Sequence, residues 1–499
     1  MAKLGLETHV VNSSVYEKSV KHFRDAKIAL PTFAQLSEPK TIPSKIRSAM
    51  AKVDPQSPHP LNLFRVNWYN AANQKDMAEV PEHLVLPTSL TGVKANIVVL
   101  IGAHFPMINA HKVLAAYGCL VPRMVTGQFD AEAHKALWPS TGNYCRGGVA
   151  ISRILGARGV AILPAGMSQE RFQWLEKWVL NREDIIKTPG TESNVKEIYD
   201  RCNELDKDPK NVIFNQFCEF GNYLVHYLCT GKAGEHVFRT LQARNPELKL
   251  RAFVSSSGSA GTIAAGDYLK EHHGSLIVGS EALECPTLLY NGFGEHNIQG
   301  IGDKHVPFIH NIMNMDMIVD ISDQSTDTLD VLFNTEEGRE YLKKRRGVPA
   351  EIVDRLKLLG FSSICNILSA VKVAKYYQMD SKDVIVTVAT DSSAMYGTER
   401  EKALKKHFPK GFDAVSAGET FGRHMLGMAI DHLRELSFQE RHRIFNLGYY
   451  TWVEQQGVSI EEFNARRKQE FWRDLRKLIP AWDTMIDEFN RKTGAADFL

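Results

Sequence analysis

Through the middle of the chain, short runs of β-branched and aliphatic residues alternate with longer segments whose apolar positions recur every three to four residues. NIVVLIG (96–102) leads into a helical stretch from about Ala110, and VAILPA (160–165) into MSQERFQWLEKWVL. LRAFVSSS (250–257) is followed by GTIAAGDYLKEHH, and then come SLIVGSEA, MIVDIS and DVIVTVAT (383–390). Apolar runs of this length without polar alternation read as strands buried on both faces, and the intervening segments as crossover helices. The pattern predicts an α/β fold built on a mostly parallel sheet.

The two ends have a different texture. Residues 1–92 are broken by prolines in SEPKTIPSK, DPQSPHP and VPEHLVLP, yet Leu63, Phe64, Val66, Trp68 and Tyr69 need an apolar place to pack. They predict a structured N-terminal extension. Beyond about residue 396, EREKALKKHF, RHMLGMAIDHLRELSF and EEFNARRKQEFWRDLRKLI carry helical stripes, which predicts a helical C-terminal extension over 396–499. The core is then 93–395. Acidic and basic residues alternate on the C-terminal stripes, so these read as solvated helix faces and not as a surface for nucleic acid.

Composition narrows the classes. The 499 residues are 43% hydrophobic, and 60 basic against 58 acidic side chains leave a formal charge of +2. No field that would track phosphates or a membrane surface follows from that balance. Apolar stretches stay below the roughly 18 residues that span a bilayer. MAKLGLETHVVNSS shows no apolar core before a small-residue cleavage site, and seven cysteines without paired spacing suit a reducing compartment. The expected location is the cytoplasm. CxxC, HExxH and GxxxxGK are absent, so no metal is expected.

Four segments carry candidate chemistry. In FPMINAHKVLAAYG (105–118), Lys112 stands at a helix start, where burial and the helix terminus both disfavour an ammonium. An amine so placed can form a Schiff base with an aldehyde. Ser140, Thr141, Gly142 and Asn143 form a polar loop ahead of an apolar helix, suited to a carboxylate. Cys145 beside it reads as a packing thiol. In FVSSSGSAGTIAAG, a strand runs through Ser257, Gly258, Ser259, Ala260, Gly261 and Thr262 into a helix, and small residues there let backbone N–H groups close on one phosphate. The fourth, DVIVTVATDSSAMYGTE (383–399), carries a buried strand that ends in Thr390, Asp391, Ser392 and Ser393, at the edge where α/β folds bind ligands. If the strand persists through it, Asp391 points to the opposite face, and a structural role is expected of it.

In this order the segments resemble the fold-type II pyridoxal-phosphate (PLP) enzymes, which include cysteine synthase, the tryptophan synthase β-subunit and the serine and threonine dehydratases. NAHK is similar to the cofactor-lysine segment of the tryptophan synthase β-subunit. STGN is similar to the substrate-carboxylate loop, GSAGT to the phosphate cup, and NIQGIGDKHVP (297–307), with Gly302, to the segment beside the cofactor ring. VATDSS resembles the strand whose hydroxyl faces the pyridine nitrogen, which points to Thr390, although Ser362 and Ser363 in LGFSSICN compete for that role. The likeness spans about 95–396. Lys94 in LTGVKANI is set aside as the cofactor lysine, since a strand and not a helix follows it.

The resemblance implies two open, mostly parallel sheets flanked by helices, with a smaller mobile subdomain at about 106–240, and a homodimer. It implies PLP as cofactor, bound by Lys112, Asn143, Ser257–Thr262, Gly302 and Thr390, and an amino-acid substrate held by Ser140–Asn143. Lys112 would act as base in β-replacement or β-elimination through an aminoacrylate, on a serine- or cysteine-type substrate. An ammonia-lyase or racemase, or a non-catalytic regulatory subunit on the same fold, stands as the alternative. Two departures put the substrate in question: Ala110-His111 precedes the lysine where cysteine synthases have a serine, and Tyr144 replaces the loop threonine.

Overall fold

The computed structural model describes residues 5–495. Residues 1–4, part of the start read for a leader, and 496–499 lie outside the described residues. Among the described residues, eleven strands form two sheets: β1 (His83–Leu86), β2 (Asn96–Ile101), β3 (Lys135–Pro139), β4 (Arg158–Pro164), β5 (Ile185–Thr188), β6 (Asn211–Ile213), β7 (Lys249–Ser256), β8 (Leu276–Ala282), β9 (Met317–Ile321), β10 (Asp383–Ala389) and β11 (Leu433–Glu435). The larger sheet has the order β1-β2-β10-β7-β8-β9-β11, and the smaller β5-β4-β3-β6. All neighbours in the small sheet are parallel, and so are β2, β10, β7, β8 and β9 in the large one. The two edge strands alone run antiparallel.

This architecture follows from the apolar runs. β2 and β10 are buried on both faces, as helices covering each side of a parallel sheet require. The Lys112–Val125 helix is buried almost all round because it lies between the Asn143–Ile154 and Phe220–Val225 helices on one side and the terminal helices on the other. The Phe361–Tyr376 helix packs on the large sheet and brings Ser362 and Asn366 to the carboxyl ends of its strands.

The terminal segments are less separate than the pattern suggested. β1 lies inside the expected N-terminal extension yet pairs with β2. β11 interrupts the stretch read as wholly helical and closes the opposite edge on β9. Three residues are too few for alternation to register against the helical stripes around them. Elsewhere the two termini pack on each other. Phe489 of the last long helix, Leu478–Thr493, makes edge contacts with Tyr16 and Phe23 at 5.6 and 5.1 Å. Asn490 exchanges two hydrogen bonds with the Leu30 backbone. No described helix is long and apolar enough to cross a membrane.

Candidate active site

Lys112 opens its helix at the carboxyl end of the large sheet, where the backbone N–H of His111 donates to the Thr390 carbonyl at 3.2 Å. Its amine donates to Ser259 Oγ at 3.2 Å, and Asn222 Nδ2 donates to the same oxygen at 3.0 Å. Burial pulls the lysine pKa down to about 8, and the nearby Asp303 and Cys119 offset only part of that fall. His111 is fully buried, stacks on Trp68 at 5.3 Å and meets Thr262 Oγ1 through Nε2 at 3.0 Å. Burial keeps it neutral, its pKa well below the ordinary imidazole range. An indole from the N-terminal segment thus packs against the residue that precedes the lysine.

The amine faces a narrow cavity. Ser256, Gly258, Ser259, Ala260, Gly261 and Thr262 form one wall; Gly300, Ile301, Ser362, Asn366 and Thr390 line the rest. Ala260 has φ +63°, in the left-handed region, which turns successive N–H groups inward. Gly258 is required because a Cβ there would sit 2.7 Å from the Gly300 carbonyl oxygen. A wall of small residues, hydroxyls and backbone amides ahead of a helix suits a phosphate ester.

Ser140, Thr141, Gly142 and Asn143 do not line this cavity. They cap the Asn143–Ile154 helix in an adjoining buried polar cluster. Ser140 Oγ accepts from the Gly142 N–H at 3.0 Å. Gly142 has φ +156°, and a Cβ on it would meet Arg171 Nε at 2.5 Å, so only glycine lets the guanidinium lie against the loop. Asn143 Nδ2 donates to Asp391 at 2.7 Å, and its carbonyl accepts from Arg146 at 2.9 Å. Tyr396 donates to the same Asp391 oxygen at 2.8 Å, while Arg171 donates to Tyr396 Oη and to Gln299. Asp391 is fully buried; burial raises its pKa, against the pull of Arg171, Asn143 and Tyr396.

The cluster corrects the expectation for Asp391. β10 ends at Ala389, so strand alternation no longer governs residue 391, and its carboxylate turns inward to Asn143. Ser257 and Gly302 also stand back from the cavity, tied to each other by a backbone bond from Gly302 N–H to the Ser257 carbonyl at 2.9 Å. Of the competing hydroxyls, Thr390 and Ser362 line the cavity and Ser363 does not. Lys94 is exposed. Cys145 donates to the Gly142 carbonyl, and burial pushes its thiol up to about 12, as expected of a packing residue.

Sequence reasoning missed Arg171, Glu192, Asp303 and Tyr396. Glu192 is buried, and its carboxyl is raised to about 7 by burial against the pull of Arg171. Asp303 is also raised well above the ordinary carboxylate range, by burial and then by Glu192, with Lys112 opposing. Asp303 and Tyr396 belong to segments already singled out, so an acid or phenol inside such a segment was an available signal. Arg171 and Glu192 lie in helix and loop stretches that resemble solvent-facing ones.

No family model matches the chain. Over 299 residues it is 27% identical to cystathionine beta-synthase of Saccharomyces cerevisiae, a stretch covering 56% of this chain and 54% of that enzyme. Over 245 residues it is 28% identical to cysteine synthase B of Campylobacter jejuni, covering 48% of this chain and 71% of that one. The chain thus spans about half the length of the yeast relative. Among solved structures, a variant of a hydrogen sulfide-producing enzyme of Fusobacterium nucleatum, complexed with an α-aminoacrylate intermediate, superposes with a TM-score of 0.53 at 18% identity. That match covers 72% of this chain and 93% of the other.

Proposed function

We propose that this chain, which has the fold of the fold-type II PLP enzymes and is related in sequence to the cysteine and cystathionine β-synthases, removes or replaces the β-substituent of a serine- or cysteine-type amino acid. One observation carries the reading. A lysine amine with a pKa near 8 opens a helix and reaches the small-residue loop that can hold a phosphate ester.

The residues fit PLP. Lys112 is the amine for its aldehyde, and Ser256 and Gly258–Thr262 offer amides and hydroxyls for its phosphate. Thr390 or Ser362 presents a neutral hydroxyl to its ring nitrogen. Bound there, the cofactor supplies an electron sink for negative charge at Cα. Lys112 then moves the α-proton, as a general base of suitable pKa. Ser140–Asn143 orient the substrate carboxylate at the start of their helix, with Arg171 behind the loop adding positive charge. Asn143 commits one of its two N–H donors to Asp391, which fixes the amide plane and leaves the second donor for the cofactor's phenolic oxygen. His111 and Trp68 exclude water from behind the lysine. The cytoplasmic homodimer that the resemblance implies belongs to the same proposal, and sedimentation of the purified protein tests the dimer.

The test is the visible spectrum of the purified protein after incubation with PLP, before and after serine, cysteine and O-acetylserine. A cofactor band that shifts with one of them supports the reading and ranks the substrates. A band in wild type that is lost in Lys112→Ala assigns the lysine. Absence of any band leaves a fold without its cofactor and overturns the proposal.

A further inference from the structure

Glu192 lies in the loop between β5 and the Val195–Leu205 helix, where the small sheet closes on the large one. It is 2% exposed, and neither carboxyl oxygen makes a hydrogen bond, although the Thr141 hydroxyl and the Gly300 amide lie against it. Thr141 belongs to the substrate-carboxylate loop, and Gly300 to the wall of the Lys112 cavity. The titratable groups that face Glu192 are Arg171, Asp391, Tyr396 and Asp303. On its outer side, Glu192 lines a cleft of about 300 Å³ between the two sheets with Glu295, Asp323 and Glu399, Lys402 being the basic residue in that lining. A buried carboxyl without a well-formed hydrogen bond costs stability, so its retention between an outer cleft and the Thr141 loop points to work on a ligand.

We propose that Glu192 hands a proton to the departing β-substituent, so that the site takes amino acids whose β-substituent leaves only as a protonated species, a hydroxyl, thiol or amine. The inference rests on the β-elimination or β-replacement reading above. The α-proton goes to the Lys112 amine, and the pair from the Cα–H bond becomes the Cα=Cβ double bond. The Cβ–X bond breaks with its pair going to X, which takes the Glu192 proton and leaves as HX, while Glu192 becomes a carboxylate. No oxidant or reductant is needed. Hydroxide is a poor leaving group, and a positioned acid is worth about 10²–10⁴-fold in such a step. Burial keeps that acid protonated up to about pH 7. The cleft carboxylates Glu295, Asp323 and Glu399 in turn repel a phosphate ester on the β-carbon.

The experiment uses PLP-loaded wild type and Glu192→Gln with L-serine and β-chloro-L-alanine, whose chloride departs without a proton. The ratio of serine to chloroalanine turnover should fall about 100-fold in the variant; an unchanged ratio overturns the proposal. Affinities of loaded wild type, read from the cofactor band, need no variant: O-phosphoserine binding as tightly as serine overturns it too. In the cofactor-free protein, the infrared difference between wild type and Glu192→Gln should show a protonated carboxyl at about pH 6 that is gone by about pH 8; a carboxylate at the lower pH contradicts the acid role. Lack of a cofactor band in wild type would sink the parent reading, whereas a normal band with an unchanged ratio sinks this inference alone.

Discussion

At Lys112, burial removes the water that stabilises an ammonium, and Asp303 restores only part of that stabilisation. Only the neutral amine can bond to an aldehyde. Uptake of PLP by the cofactor-free protein should therefore rise about tenfold per pH unit below about 8 and level off above it; stopped-flow absorbance across that range checks this, and a rate still climbing toward pH 10 contradicts it. Glu192 gives a stability prediction. Its folded pKa of about 7 lies above the ordinary 4.5, so the folded state holds the proton more tightly than the unfolded one. Wild type therefore loses stability as pH rises from about 4.5 through 7, by at most about 3 kcal/mol. Glu192→Gln lacks that loss, so its melting temperature should exceed that of wild type at pH 8 and match it near pH 5.

Closure of the site is decided by a few elements. The Gln169–Trp178 helix and the loop after β5 reach from the small sheet to the large one. Glu170 accepts from the Thr398 N–H and hydroxyl, both at 2.8 Å; Ser193 donates to the Gly294 carbonyl at 2.9 Å, and Thr191 donates to Glu295. These contacts latch the loop that carries Glu192 over the cleft. Hydrogen bonds to a charged partner contribute roughly 1.5–3 kcal/mol each. Glu170→Ala should speed amide hydrogen exchange across residues 165–200 while leaving β7, β8 and β10 protected. Equal loss of protection in both sheets would mean that the latch supports the whole fold. The smaller mobile subdomain expected at about 106–240 would be the part that this exchange pattern outlines.

On the scale of the whole molecule, the two termini behave as one layer. Trp482 is buried, packs on Phe33 and donates its indole N–H to the Glu7 carbonyl at 3.0 Å. Asp483 caps the Phe33 and Ala34 amides, so the last helix and the first segment hold each other against the Lys112–Val125 helix. Trp482→Ala should cost about 3–5 kcal/mol, visible as a lower denaturant midpoint. Because the layer backs the lysine helix, PLP affinity should fall in the same variant; destabilisation with unchanged affinity would make the layer a passive cover.

The α/β class and the parallel core were legible because buried strands and their crossover helices each write a periodicity into the chain, and a single element carries that signal. Lys112 and the Gly258–Thr262 wall were legible for a related reason: each lies in one short segment where residue type and local geometry are fixed together. The Asn143–Asp391 bond joins residues 248 apart, and nothing local in either segment announces the other. Thr390 and Asp391 were read from an idealised strand, and the true end of β10 at Ala389 redirected the carboxylate. Arg171 and Glu192 sit among charged residues typical of surfaces, so only tertiary closure, by removing water and setting the two groups near each other, gave them their chemistry. Sequence by itself determined which backbone groups and which amine are presented at the sheet edge, since those follow from local rules. Tertiary structure decided which charges face them, because burial and opposition across two sheets are properties of the assembled chain.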